Sequence, residues 1–111
     1  MARTSILGGA TLTTTLQTIV TNASADAKTR VVELRFSNID GVNPADITQC
    51  ILIDSSASNA QRPVMGVNTT VRARETLSTN VTLDPGDSIQ SAASAGGDIY
   101  LLVTKIHEEA A

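Results

Sequence analysis

Leu77-Ser-Thr-Asn-Val-Thr-Leu-Asp-Pro-Gly-Asp-Ser-Ile-Gln90 runs through a bridge of small residues, Ser91 to Gly97, into Asp98-Ile-Tyr-Leu-Leu-Val-Thr-Lys-Ile106. The order is strand, tight turn, strand, turn, strand. The turn Asp84-Pro85-Gly86-Asp87 has a mechanism. Pro85 presets φ at about −65°, and Gly86 takes the positive φ that a type II turn needs at its third position. Around it apolar residues recur at every second position: Val81 and Leu83 before, Ile89 after. A period of two sends side chains alternately to a core and to a wet face. The stretch therefore predicts a β-sandwich or barrel.

The same pattern extends outward through the chain. Arg30 to Asn38 is the cleanest further strand, with Val32, Leu34 and Phe36 on one side and Val31, Glu33, Arg35 and Ser37 on the other. A sheet with one wet face suits antiparallel pairing. Ile47 to Asp54 is apolar on both faces, Ile47, Ile51 and Ile53 against Cys50 and Leu52. It is expected to be a central strand, or an edge whose outer face meets another subunit. Thr11 to Thr21 reads as a strand broken near Gln17, since β-branched Thr and Ile favour extended backbone. Pro63 to Val67 and Thr69 to Ala73 read as short β segments. Between these lie the polar loop Asn22 to Thr29, with room for one helical turn, the turn Ile39 to Asp46, and the loop Ser55 to Gln61.

Residues 1–10 show no period, and Gly8-Gly9 marks a joint. They are expected to form a short extended N-terminal arm, with Ile6 and Leu7 as a strap for a neighbour. Residues 11–111 form the domain. The expected fold is all-β: a single antiparallel β-sandwich, jelly-roll-like, of about seven or eight strands.

Composition narrows the function classes. At 111 residues the chain is of single-domain size. Aromatic residues are 2%, Phe36 and Tyr100 only, so the core is aliphatic. The net charge is −3 and the eight Lys and Arg are scattered, so no nucleic-acid partner is expected. No run approaches the roughly 18 apolar residues of a membrane span. No signal peptide is read at the start, so synthesis in a cytoplasm is expected. Cys50 is the single cysteine and lies in an apolar run, so it is read as a buried, inert thiol.

Few residues in the chain point to chemistry. His107 is the one histidine and sits at the far edge of the last strand. A nucleophilic triad needs a base packed and oriented by a third group, which is not visible here. Asp84 with Asp87, and Asn38 with Asp40 and Asn43, are oxygen pairs and clusters, but turn chemistry accounts for both. The sequons at Asn22, Asn68 and Asn80 suit chance in a Ser/Thr-rich chain. Thr11, Thr13 and Thr15 are considered as an exposed array for ice or glycan. The chain is read as carrying no catalytic residue, cofactor or metal.

The segments Arg30-Val-Val-Glu-Leu-Arg-Phe-Ser-Asn38, Leu83-Asp-Pro-Gly-Asp-Ser-Ile89 and Ala92 to Val103 together resemble the small β-sandwich virion structural proteins of tailed bacteriophages. Those proteins often have a strand ending in Ser-Asn or Thr-Asn, a Leu-x-x-Gly-Asp-x-Ile turn, and a small-residue turn before a last apolar strand. The resemblance implies capsid decoration (cement), in which the protein bridges and stabilises the major capsid lattice on the outside of the virion. The alternative it implies is a neck, tail or fibre component that binds a receptor or glycan, or acts as an adaptor. A homo-oligomer is expected, with a trimer favoured. The expected partner surface is Ile6, Leu7, Leu52, Tyr100 and Leu102, apolar residues that want a neighbour.

Overall fold

The computed structural model describes residues 6–110. Among these, nine strands run in order: β1 (Ile6–Thr11), β2 (Gln17–Thr21), β3 (Lys28–Asn38), β4 (Ala45–Asp54), β5 (Ala60–Pro63), β6 (Thr69–Val71), β7 (Thr76–Leu83), β8 (Ser88–Ala93) and β9 (Ile99–Ala110). They form two antiparallel sheets. The front sheet has the order β1-β9-β3-β7, and the back sheet β2-β8-β4-β5 with β6 also on β4. The two layers pack face to face over one core.

β5 and β6 lie on the same flank of β4, at residues 51–54 and 45–47. They are two halves of one interrupted strand. Counted as one, the sheet orders become 1-8-3-6 and 2-7-4-5, which is the jelly roll of two interleaved Greek keys. Every link except those along β4-β5-β6 crosses from one sheet to the other.

The turn at 84–87 makes one of these crossings. Gly86 has φ +90°, and the Asp87 N–H donates to the Asp84 carbonyl at 3.0 Å. This is the expected type II turn. Tight two-residue hairpins instead favour the mirror-image turns, whose twist matches paired strands. A type II turn suits a corner at which two strands part company.

The core is aliphatic around one ring. Val32, Leu34 and Phe36 of β3, Ile89 of β8, and Ile99, Leu101 and Val103 of β9 are all at 0% exposure. Alternation in β3 and β9 holds as the sequence predicts. In β4 it does not. Ile47 pairs with Ala93, but Gln49 pairs with Ala92, so one residue is extra at Thr48. A bulge of this kind reverses the phase of the residues beyond it. Cys50 and Leu52 therefore turn toward the core with Ile47, while Ile51 is buried outside the core cluster.

Several boundaries differ from expectation. Of the arm expected at 1–10, residues 6–10 belong to β1 and pair with β9, while 1–5 lie outside the described residues. The expected break near Gln17 is a loop that moves the chain between sheets. The segment expected to be a strand at Pro63–Val67 is strand only at Pro63. Its continuation still donates from Val64 N–H to the Cys50 carbonyl and tucks Val64 and Met65 against the core. The loop Asn22 to Thr29, read as having room for a helical turn, holds a 3₁₀ turn at Ser24–Asp26.

Buried polar side chains fasten the loops. The Asn22 amide donates to the carbonyls of Lys28 and Leu83, at 2.8 and 3.0 Å. The Asn38 amide donates to the carbonyls of Asn43 and Val71, both at 3.0 Å. Asp87, 2% exposed, accepts from Ser55 and from the Asp84 N–H. The Ser-Asn strand end and the Gly-Asp turn of the sequence are thus fastenings of the fold.

Candidate functional site

The outer face of the front sheet is built by pairing register. Three rows cross it from β1 to β7: Thr11–Tyr100–Ser37–Thr76, Gly9–Leu102–Arg35–Ser78, and Ile6–Thr104–Glu33–Asn80. Residues opposite one another in antiparallel pairs share a face, so each row is one line of side chains. The β7 end of each row is Thr, Ser or Asn. In the middle, Arg35 and Glu33 pair at 3.2 Å. The β1–β9 end carries the apolar side chains: Ile6 is 39% exposed, Tyr100 37%, and Leu102 partly exposed.

Gly9 permits this arrangement. A Cβ there would stand 2.6 Å from the Tyr100 hydroxyl and 3.2 Å from the Leu101 carbonyl oxygen. The ring lies across the backbone of β1 where a side chain would block it.

Of the five residues expected at a partner surface, three share this face: Ile6, Tyr100 and Leu102. Leu7 and Leu52 do not. Leu7 falls where the β1–β9 register shifts between Ile6 and Gly8, and it packs against the core. Leu52 is turned inward by the bulge at Thr48 and also packs on the core. Ile106, 54% exposed at a second register break, is an apolar surface residue outside those five. Its even number, continuing 100, 102 and 104, is the signal in the sequence that points to it.

The loops group at the two ends of the sandwich. One end carries 12–16, 39–44, 72–75 and 94–98, and there Ile39 and Val42 are 60% and 81% exposed. The loop beneath them is self-tied. Asp40 accepts from the N–H groups of Val42 and Asn43 at 2.8 and 3.3 Å, and Asn38 Oδ1 accepts the Asp40 N–H at 2.9 Å. These bonds, the Val42 N–H first, hold the Asp40 carboxyl below its ordinary range. The oxygen cluster at 38–43 is therefore occupied with its own turn.

At the other end, Glu108 receives Arg30 at 3.0 Å, and Lys28 and Lys105 at 3.2 Å. These hydrogen bonds, Arg30 first, hold its carboxyl down at about 2 from an ordinary 4.5. Arg30 also donates to Asn22 Oδ1. His107 is exposed, with Nε2 3.7 Å from Glu109.

Thr11, Thr13 and Thr15 do not form one array. Thr11 ends β1, and Thr13 Oγ1 bonds the Thr15 carbonyl within the following loop. Among the sequons, Asn22 is buried and engaged, while Asn68 and Asn80 are exposed. Cys50 is 1% exposed, and burial pushes its thiol up to about 11. Among the described residues no cleft or cavity is found, and no three His, Cys, Asp or Glu side chains gather as metal ligands. No protein-family model, curated protein or solved structure matches the chain.

Proposed function

We propose that this protein is a non-enzymatic structural component of a phage virion, a decoration protein on the outside of the capsid. Made in the host cytoplasm, it binds the assembled shell and bridges neighbouring copies of the major capsid protein. The observation that carries the reading is the apolar strip of Ile6, Tyr100 and Leu102, set in three rows whose other side chains are polar. Such a strip, rimmed by Ser, Thr and an Arg–Glu pair, has the anatomy of an interface core and rim. The jelly roll supports the reading more weakly, because that architecture serves capsid and lectin domains alike.

The mechanism is adhesive. One copy contributes a small apolar contact, but a lattice presents many equivalent sites. Contacts that engage together add avidity beyond any single one. Rupturing the shell then requires breaking the bridges as well.

The test is the robustness of purified shells with and without the protein. Bound protein is expected to raise the temperature at which shells open. The variant Tyr100→Asp/Leu102→Asp is expected to stay folded and to leave shells unprotected. Equal opening temperatures with and without wild-type protein would sink the proposal.

A second reading has its own observation. Ile39 and Val42 project from a self-tied loop at one end of the sandwich. That placement suits a neck, tail or fibre module that meets a receptor or glycan through its loops. Selective binding on a glycan array, lost on Val42→Asp, would favour it over shell decoration.

A further inference from the structure

Among the described residues the two sheets expose four strand edges, and three of them are guarded. β1 has a register break after Ile6 and carries Gly8-Gly9, and it is backed by β2. A Cβ at Gly8 would stand 3.0 Å from the Ile19 carbonyl oxygen. β2 is five residues long, with a break between Thr18 and Val20. The β5–β6 edge is interrupted, with Arg62 and Pro63 at its break. Short length, bulges, charge and proline are the devices by which edge strands avoid pairing with other chains.

β7 has none of them. Its eight residues, Thr76–Leu83, pair with β3 in unbroken register from Ser37↔Thr76 to Arg30↔Leu83. It contains no Gly, Pro or charged residue. Its inward side chains Leu77, Thr79 and Val81 are only partly buried, because one flank of the strand is open. The outward Thr76, Ser78, Asn80 and Thr82 are exposed.

We propose that β7 is where a second copy of this chain adds, edge to edge and antiparallel, joining two four-stranded front sheets into one of eight strands. A two-fold axis at Thr79 sets Leu77 against Val81 of the second copy on the core side. It sets Ser78 against Asn80, and Thr76 against Thr82, on the outer side. No like charges oppose one another, and the open apolar flanks cover each other. Charge selects the antiparallel sense. The chain enters β7 through Arg72, Arg74 and Glu75, net positive, and leaves it at Asp84. Antiparallel pairing brings each positive end to a negative one, whereas parallel pairing stacks like on like. The contact is two-fold, in place of the three-fold association expected from the resemblance, and it leaves the Tyr100 strip uncovered.

The test is molar mass by light scattering across a concentration series, on three proteins checked for fold by circular dichroism. Wild type is expected to reach twice the 11.5 kDa chain mass. Ser78→Lys/Asn80→Lys places Lys against Lys in each outer pair and is expected to halve that mass. Ser78→Lys/Asn80→Glu places Lys against Glu and is expected to restore it. A wild type that stays at one chain mass overturns the proposal. So does an oligomer whose mass is indifferent to both variants, whatever its stoichiometry.

Discussion

The carboxylate Oδ1 of Asp87 accepts both the backbone N–H and the hydroxyl of Ser55, each at 3.0 Å. The contact joins the β4–β5 corner to the β7–β8 turn across 32 residues of chain. Asp87 is buried, and its other oxygen accepts the Asp84 N–H at 3.0 Å. Asp87→Ala takes this acceptor from the Ser55 and Asp84 N–H groups, while the Ser55 hydroxyl keeps the Pro85 carbonyl at 3.0 Å, and is expected to cost about 3 kcal/mol. Ser55→Ala keeps the backbone bond and is expected to cost about 1 kcal/mol. Urea unfolding of both single variants and the double variant checks this. Strict additivity would argue against a shared network.

Glu108 makes stability depend on acid. Its folded carboxyl is held at about 2, below its ordinary 4.5, by Arg30, Lys28 and Lys105. A depressed folded pKa means the unfolded chain takes up the proton first as pH falls. The contribution is therefore whole above pH 4.5 and is lost as pH drops toward 2. Glu108→Gln is expected to be less stable than wild type at about pH 6 and to approach it at about pH 2.5. Unfolding midpoints at the two pH values check this; a constant gap between the proteins would refute it.

Phe36 is the one aromatic ring in the core, at 0% exposure beside Val32 and Leu34. Phe36→Ala is expected to cost about 3–5 kcal/mol through lost burial and the cavity left behind. Against the roughly 5–15 kcal/mol that small domains possess, this brings the protein near unfolding. A melting temperature lowered by only a degree or two would mean that the site collapses around the gap.

The Cys50 thiol is buried and pushed up to about 11. The thiolate is the reactive form, so a native protein at about pH 8 is expected to resist thiol reagents. Labelling is expected to track global unfolding in rising denaturant. Rapid labelling in native buffer would show that β4 opens locally.

Legible in the chain alone is whatever repeats at a fixed interval. In β3 and β9 the interval of two is unbroken over the core, and it assigns both faces correctly. Leu52 defeats the pattern for a local reason. One extra residue at Thr48 reverses the phase, and nothing in Ile47-Thr-Gln-Cys50 marks where a bulge falls. Leu7 lies in a stretch with no period, and the register shift at Ile6–Gly8 that accompanies its packing on the core has no mark in the sequence. Gly86 and Pro85 announce a type II turn, but not that it spans two layers. The outer surface is less legible still. It depends on which strands become neighbours, and the rows through Tyr100 and Leu102 draw on β1, β3 and β7, far apart in sequence.

β9 lies between β1 and β3 in the front sheet. Neither neighbour can pair with it until residues 99–110 have cleared the ribosome. At roughly 5–20 residues per second, β1 waits several seconds from its own emergence. Throughout that interval Ile6 to Thr11 and one flank of β3 offer unsatisfied main chain to any passing polypeptide. Synthesis therefore exposes strand flanks of β9's neighbours that the finished molecule pairs.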